Sequence, residues 1–72
     1  MTINNFWNIT TASLAELKED RAASWMDGET CRRLAILCVG EQKRQLQARA
    51  DRNAKIVAAI DAELVRREEQ RP

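Results

Sequence analysis

Apolar residues recur at heptad spacing through the second half of the chain, in a stretch that contains one glycine and no proline. This spacing predicts a helix over 30–69, roughly 60 Å long at ~1.5 Å per residue. A helix longer than a globule of 72 residues is wide needs a partner, and the heptads predict a second copy, parallel or antiparallel. The polar residues Lys43, Asn53 and Arg67 interrupt the seam. The predicted dimer interface consists of Ile36, Val39, Leu46, Ala50, Val57, Ile60 and Leu64.

The size of the chain limits it to one domain with a small core. A domain of 72 residues buries only about 60% of the surface that its unfolded chain exposes, so a second subunit is a usual remedy. Two cysteines, no histidine and no secretory signal pattern predict a cytoplasmic protein with reduced thiols. The longest apolar run, 34–39, is far shorter than the roughly 20 residues that cross a bilayer, so no membrane span is expected.

Charge is unevenly distributed along the chain. Residues 1–30 carry two basic and five acidic side chains, a net charge of −3, and residues 31–72 carry ten and six, a net charge of +4. Opposite charge on two halves favours their packing together or antiparallel self-association. The small overall surplus of +1 argues against nucleic acid as a partner.

Local signals divide the chain into an arm and a helical hairpin. Residues 1–12 hold β-forming residues without helical spacing and are predicted to form an extended arm or a short strand. Ser13 and Glu16 have capping-box spacing, which predicts a helix over 13–26. The segment 27–29 contains a glycine and predicts a turn, after which Thr30 caps the long helix. The predicted fold is therefore all-α: a short and a long helix form an antiparallel hairpin over 13–72, which dimerises through the long helix.

The segment 34–39 is apolar on every side of a helix, so it must be covered from more than one direction. The same residues also suit a buried strand, although their helix-forming flanks favour a helix. Gly40 has two interpretations. It either allows close approach of another helix or divides the long helix into 30–39 and 41–69.

The residue types give little support to catalysis. With no histidine or tyrosine, no glycine-rich phosphate loop and no paired-carboxylate motif, the sequence predicts a protein that is not an enzyme and needs no cofactor or metal. Cys31 and Cys38 lack a second ligand pair for zinc. Cys31 is expected to be a small apolar contact residue. The alternative is a reactive thiol, activated by the start of the long helix and by Arg32 and Arg33.

Two classes of binding protein remain. A helix, a three-residue turn and a second helix that opens with Arg32 and Arg33 match a helix-turn-helix outline, which suggests a DNA-binding regulator. Acidic residues at the same end would repel phosphates, so a small protein-binding inhibitor is preferred. Aromatic anchors beside an acidic patch would meet a partner, although packing within the dimer also explains the anchors. The candidate partner-binding residues are Trp7, Glu16, Glu19, Asp20, Trp25 and Met26.

The hairpin that begins at 13–17, turns at 27–29 and continues through 31–34 resembles the small early anti-quorum-sensing proteins of Pseudomonas Mu-like phages. The resemblance covers most of the chain in length and layout. It implies a helical homodimer in the host cytoplasm that inhibits a quorum-sensing transcription activator at its DNA-binding domain. The type IV pilus assembly ATPase is implied as a second target, and an anti-CRISPR protein is an alternative of the same mechanistic kind.

Overall fold

The computed structural model describes residues 9–70, which form two helices and no strand. Helix α1 comprises Leu14–Leu37 and helix α2 comprises Gly40–Glu69. Two residues join the helices. Residues near the start of α1 contact the end of α2, as in the ion pair of Arg21 with Asp61, so the helices are antiparallel. The predicted all-helical hairpin is confirmed.

Helix α1 begins where the sequence predicted. Ser13 has extended backbone angles, and its hydroxyl accepts a hydrogen bond from the backbone N–H of Glu16 at 3.1 Å. The Glu16 carboxylate accepts in return from the backbone N–H of Ser13 at 3.2 Å. Because both N–H groups would otherwise lack an intrahelical partner, this reciprocal pair fixes the start of the helix.

The predicted turn at 27–29 is wrong, since α1 continues through these residues without interruption. Thr30 does not cap a helix either. Its hydroxyl donates to the carbonyl oxygen of Met26 at 2.9 Å, four residues earlier in the same helix. The boundaries 13–26 and 30–69 are therefore replaced by two helices of more similar length, 24 and 30 residues.

Gly28 lies on the buried face of α1 because α2 comes close there. A Cβ atom built on Gly28 would lie 3.4 Å from the Cβ of Asn53 and 3.9 Å from the carbonyl oxygen of Ala50. The glycine that suggested a turn thus serves interhelical packing, one of the roles that a glycine inside a helix can have.

The real connection lies at residues 38–39, within the segment predicted to be helical. Cys38 and Val39 both have extended backbone angles, and Gly40 has a φ of +63°. A positive φ is costly for residues with a Cβ, so glycine permits the reversal of the chain here. Of the two interpretations of Gly40, the structure supports the one in which the long helix is divided.

Replacing each of the two glycines by alanine is expected to change the stability in opposite directions. Gly28→Ala should raise the free energy of unfolding by about 0.5–1 kcal/mol, because alanine favours the helix and its Cβ meets only ordinary contacts. Gly40→Ala should lower it by about 1–2 kcal/mol, because its Cβ has space but the positive φ strains any L side chain. Urea denaturation followed by circular dichroism measures both. Equal effects of the two variants would contradict the assigned roles.

A hydrophobic cluster lies at the open end of the hairpin, and the smaller apolar residues Cys31, Ala35 and Ala50 are buried nearer the connection. Ile9, Ala12 and Leu17 are buried against Ile60 of α2. Three partly buried residues of α2 pack around this cluster: Ile56, Ala59 and Leu64. Residues 9–12 form turns and a bend rather than the predicted extended arm, and residues 1–8 lie outside the described part.

The molecule is elongated, with extents of 51 × 21 × 16 Å. Its other end, which we call the hairpin tip, comprises residues 34–40 around the connection and exposes most of its large apolar side chains. Neither α1 nor α2 is long and apolar enough to cross a membrane.

Candidate functional site

Two large apolar side chains lie exposed side by side in the middle of α1. Trp25 is 55% exposed and Met26 is 64% exposed, although residues of their kind usually bury most of their surface in a folded chain. Trp25 borders a small groove of about 140 Å³ between the helices. The groove is lined by Ser24, Trp25, Gly28, Arg32, Asn53, Ala54 and Val57. Both predicted anchors are therefore accessible to another molecule.

The predicted acidic patch is only partly present. Glu19 is exposed, but Asp20 is buried. Glu16 caps α1, and its hydrogen bonds with the backbone and side chain of Ser13 hold the pKa of its carboxyl below the usual value. Trp7 lies outside the described residues. An interaction of this surface would therefore depend more on apolar contact than on a concentrated negative charge.

Most of the heptad face of α2 packs within a single chain. Ala50 and Ile60 are buried, and Leu46, Val57 and Leu64 are partly buried. Of the predicted interface residues, only Ile36 and Val39 are largely exposed, and both lie at the hairpin tip. The apolar spacing in α2 therefore arises from the packing of α2 on α1 of the same chain. A heptad pattern alone does not distinguish this packing from packing between two copies.

A polar cluster ties the middle of α1 to α2. The Asp27 carboxylate accepts hydrogen bonds from Arg49 at 2.7 and 2.9 Å and from the Asn53 amide at 2.7 Å. The Arg49 guanidinium, followed by Asn53, lowers the pKa of Asp27. Asn53, predicted to break a seam between copies, instead joins the two helices of one chain.

Cys31 is buried inside α1, with its sulfur 3.9 Å from the Asp27 carboxylate. The prediction of a reactive thiol rested on a helix start at Thr30, and no helix starts there. Its position fits the preferred interpretation, a small apolar contact residue. Cys38 is the more accessible of the two thiols.

The contacts that hold residues 9–12 in place were not predicted from the sequence. The Arg67 guanidinium donates to the carbonyl oxygens of Ala12 at 2.6 Å, Ile9 at 3.2 Å and Thr10 at 3.4 Å. It also donates to the buried Glu63 carboxylate at 2.9 Å. Arg67, which the heptad pattern marks only as a polar interruption, fixes the segment that closes the core.

Because several carboxylates are paired with arginine, the fold is expected to lose stability at low pH. Hydrogen bonds from Arg66, supported by Arg67, lower the pKa of Glu63 from 4.5 to about 2. A carboxyl group whose pKa is lower in the folded state stabilises the fold above its unfolded pKa and loses that effect as the pH falls. The thermal midpoint should therefore decrease between about pH 4.5 and pH 2. The variant Glu63→Gln should show a shallower decrease in circular dichroism melts, and an unchanged decrease would contradict this assignment.

The helix-turn-helix outline is absent, because the turn on which it depended is helical. Arg32 and Arg33 lie near the end of α1 rather than at the start of a recognition helix. Arg32 forms an ion pair with Glu29, and Arg49 is held by Asp27. No observation in residues 9–70 therefore favours DNA binding over protein binding.

Within residues 9–70, no group of three or more histidine, cysteine, aspartate or glutamate side chains is arranged to hold a metal ion. Comparison of the chain with protein-family models, with curated proteins and with solved structures gives no match.

Proposed function

We propose that this chain is a small non-enzymatic protein that acts by occupying a functional surface of a partner protein. The observation that carries the proposal is the adjacent exposure of Trp25 and Met26 on a regular helix. Tryptophan is enriched among the residues that dominate binding energy, and methionine adapts its shape to irregular apolar surfaces. These two side chains are the anchors of the interaction.

The rigid position of Trp25 and Met26 on α1 supports a mode of binding in which the surface of this helix contacts the partner. The capping box holds the start of α1, and the Asp27 cluster holds its middle against α2, so Trp25 and Met26 project from a fixed helix. A rigid anchor loses little conformational entropy when it binds. The groove beside Trp25 is small, and the partner therefore contributes the concave side of the interface.

The partner class in this proposal follows from the resemblance to phage anti-quorum-sensing proteins. In the cytoplasm of a bacterial host, the chain binds the DNA-binding domain of a quorum-sensing transcription activator and blocks its access to DNA. The type IV pilus assembly ATPase is the second proposed target. Inhibition of either requires only that the bound chain cover the functional surface.

Calorimetry with the purified DNA-binding domain of the activator tests this proposal. The wild type should bind and should displace operator DNA. The double variant Trp25→Ala/Met26→Ala should weaken binding by at least about 30-fold, the usual effect of losing a binding hot spot. Val65→Ala is the matched control, because Val65 is also an exposed apolar residue but lies towards the end of α2.

Three results would contradict the proposal at different levels. No binding of the wild type to the activator domain or to the ATPase would exclude these targets. Binding that the double variant retains would exclude Trp25 and Met26 as anchors. Capture from bacterial lysate that retains nucleic acid alone would exclude a protein partner altogether.

A further inference from the structure

The groove between the helices beside Trp25 has a glycine in its floor. Gly28 is buried in the interior of α1, and it lines the groove together with Asn53 of α2. A Cβ atom at position 28 would lie 3.4 Å from the Asn53 Cβ, an ordinary contact, so alanine fits between the helices. That Cβ would occupy part of the floor. Glycine therefore gives the groove a depth that alanine would remove.

This depth has a cost in stability. Glycine inside a helix is less favourable than alanine, and Gly28→Ala is expected to stabilise the fold. Gly28 has helical backbone angles without a positive φ, so the backbone conformation does not call for glycine. Sequences depart from local preferences chiefly at functional or strained sites. The feature that Gly28 provides in return for its cost is the open groove.

The size of the groove suits one side chain. Its volume is about 140 Å³. A protein cavity of about 150 Å³ holds a benzene molecule, so the groove has room for a single phenyl or phenol ring.

The lining of the groove favours an uncharged aromatic ring. Arg32 is the one charged residue among the described residues that line it, and an ion pair with Glu29 already balances its charge. A charged side chain of either sign would lose hydration here and gain little in return. The indole of Trp25 and the planar guanidinium of Arg32 both present surfaces on which an aromatic ring stacks.

The walls of the groove are held in place within the chain. The Asn53 amide donates a hydrogen bond to the Asp27 carboxylate at 2.7 Å, and Arg32 is held by Glu29. Side chains that are already ordered lose less conformational entropy when a ligand binds between them. The groove is therefore formed before any partner arrives.

We propose that this groove receives one aromatic side chain, a phenylalanine or a tyrosine, from the partner protein, and that Gly28 keeps the groove open for it. The inference rests on the proposed function, because it assigns a second contact to the surface around Trp25. The partner buries Trp25 in its own concave surface and inserts one ring beside it. The two surfaces thus interlock, and Gly28 determines which side chain the chain accepts.

Titration of the purified chain with N-acetylphenylalanine amide, followed by NMR, tests the groove without the partner. The fragment should shift the indole N–H resonance of Trp25 and the amide resonances of Gly28 and Asn53 in a saturable way. Its dissociation constant should lie in the range of about 1 mM, as expected for a ligand with about fifteen non-hydrogen atoms. N-acetylleucine amide should bind at least about threefold more weakly, because an aliphatic side chain does not stack on aromatic rings.

Gly28→Ala separates binding in the groove from the stability of the fold. The variant should unfold at a higher urea concentration than the wild type, and yet bind the fragment and the activator domain at least about fivefold more weakly, because its methyl group fills the floor. Ala23→Gly is the control, since Ala23 is exposed on the same helix and does not line the groove. It should lower the urea midpoint and leave both dissociation constants unchanged.

The two arms distinguish failure of this inference from failure of the proposed function. A saturable fragment shift that Gly28→Ala weakens, without binding to the activator domain or the ATPase, would support the groove and exclude those targets. No fragment shift at Trp25 and Gly28, or equal fragment binding by Gly28→Ala and the wild type, would overturn the inference. Tighter binding of the leucine fragment would overturn the aromatic assignment. A lower urea midpoint for Gly28→Ala would show that packing alone requires the glycine, and would overturn the inference as well.

Discussion

Leu17→Ala is expected to remove much of the stability of this protein. Leu17 is completely buried in the small core at the open end, where it packs in one cluster with Ile9, Ala12 and Ile60. Replacing a buried leucine by alanine costs about 2–5 kcal/mol, because apolar contacts are lost and a cavity remains. A domain of 72 residues has a free energy of unfolding of roughly 4–11 kcal/mol, so this single change consumes a large share of it.

Urea denaturation measured by circular dichroism gives the size of this effect. Leu14→Ala is the matched control, since Leu14 belongs to the same helix but is 42% exposed. Its cost should be below about 1 kcal/mol, as for most substitutions of partly exposed side chains. If both variants lost the same stability, the core would not lie where the structure places it.

Loss of the Arg67 guanidinium should have the second largest effect. In Arg67→Met the alkyl stem keeps its packing, but the three carbonyl oxygens of residues 9–12 lose their donor. A hydrogen bond to a charged group contributes about 1.5–3 kcal/mol, so we expect a loss of about 2–3 kcal/mol. Ile9 and Ala12 would then be held less firmly against α2, which weakens the core as well.

Arg66→Met is the control for this prediction. Arg66 also donates to Glu63, but it donates in addition to the side chain of Gln70 and not to the carbonyl oxygens of residues 9–12. Hydrogen exchange at the amides of the buried residues Ile9 and Ala12 should therefore be faster in Arg67→Met than in Arg66→Met. Equal exchange rates in the two variants would assign the effect to Glu63 instead of the carbonyl contacts.

The features that could be predicted from the sequence are those that depend on residues close together in the chain. Ser13 and Glu16 are three positions apart and form two reciprocal hydrogen bonds, so the start of α1 could be predicted from their spacing alone. The all-helical class and the hairpin followed from apolar periodicity and helix-forming composition. The exposure of Trp25 and Met26 fits their assignment as anchors, although no partner was identifiable from the chain.

The errors arose where distant residues decide the local structure. Gly28 was interpreted as a helix end, and only the approach of Asn53 from α2 explains a glycine inside the helix. The connection was missed because Cys38 and Val39 belong to a continuous apolar run without a conventional break signal. The contact of Arg67 with Ile9 spans 58 positions, and no local pattern encodes such a pair.

The location of the core at the open end has a consequence for the order in which the structure forms. Closing the hairpin near the connection costs little chain entropy, but it buries little apolar surface because the hairpin tip is exposed. The contacts that bury the largest side chains join Ile9 and Leu17 to Ile60, which lies 43 or more positions away in the sequence. Such distant contacts form only after the intervening chain has closed into a loop. We therefore expect the cluster at the open end to be completed last, after both helices have formed.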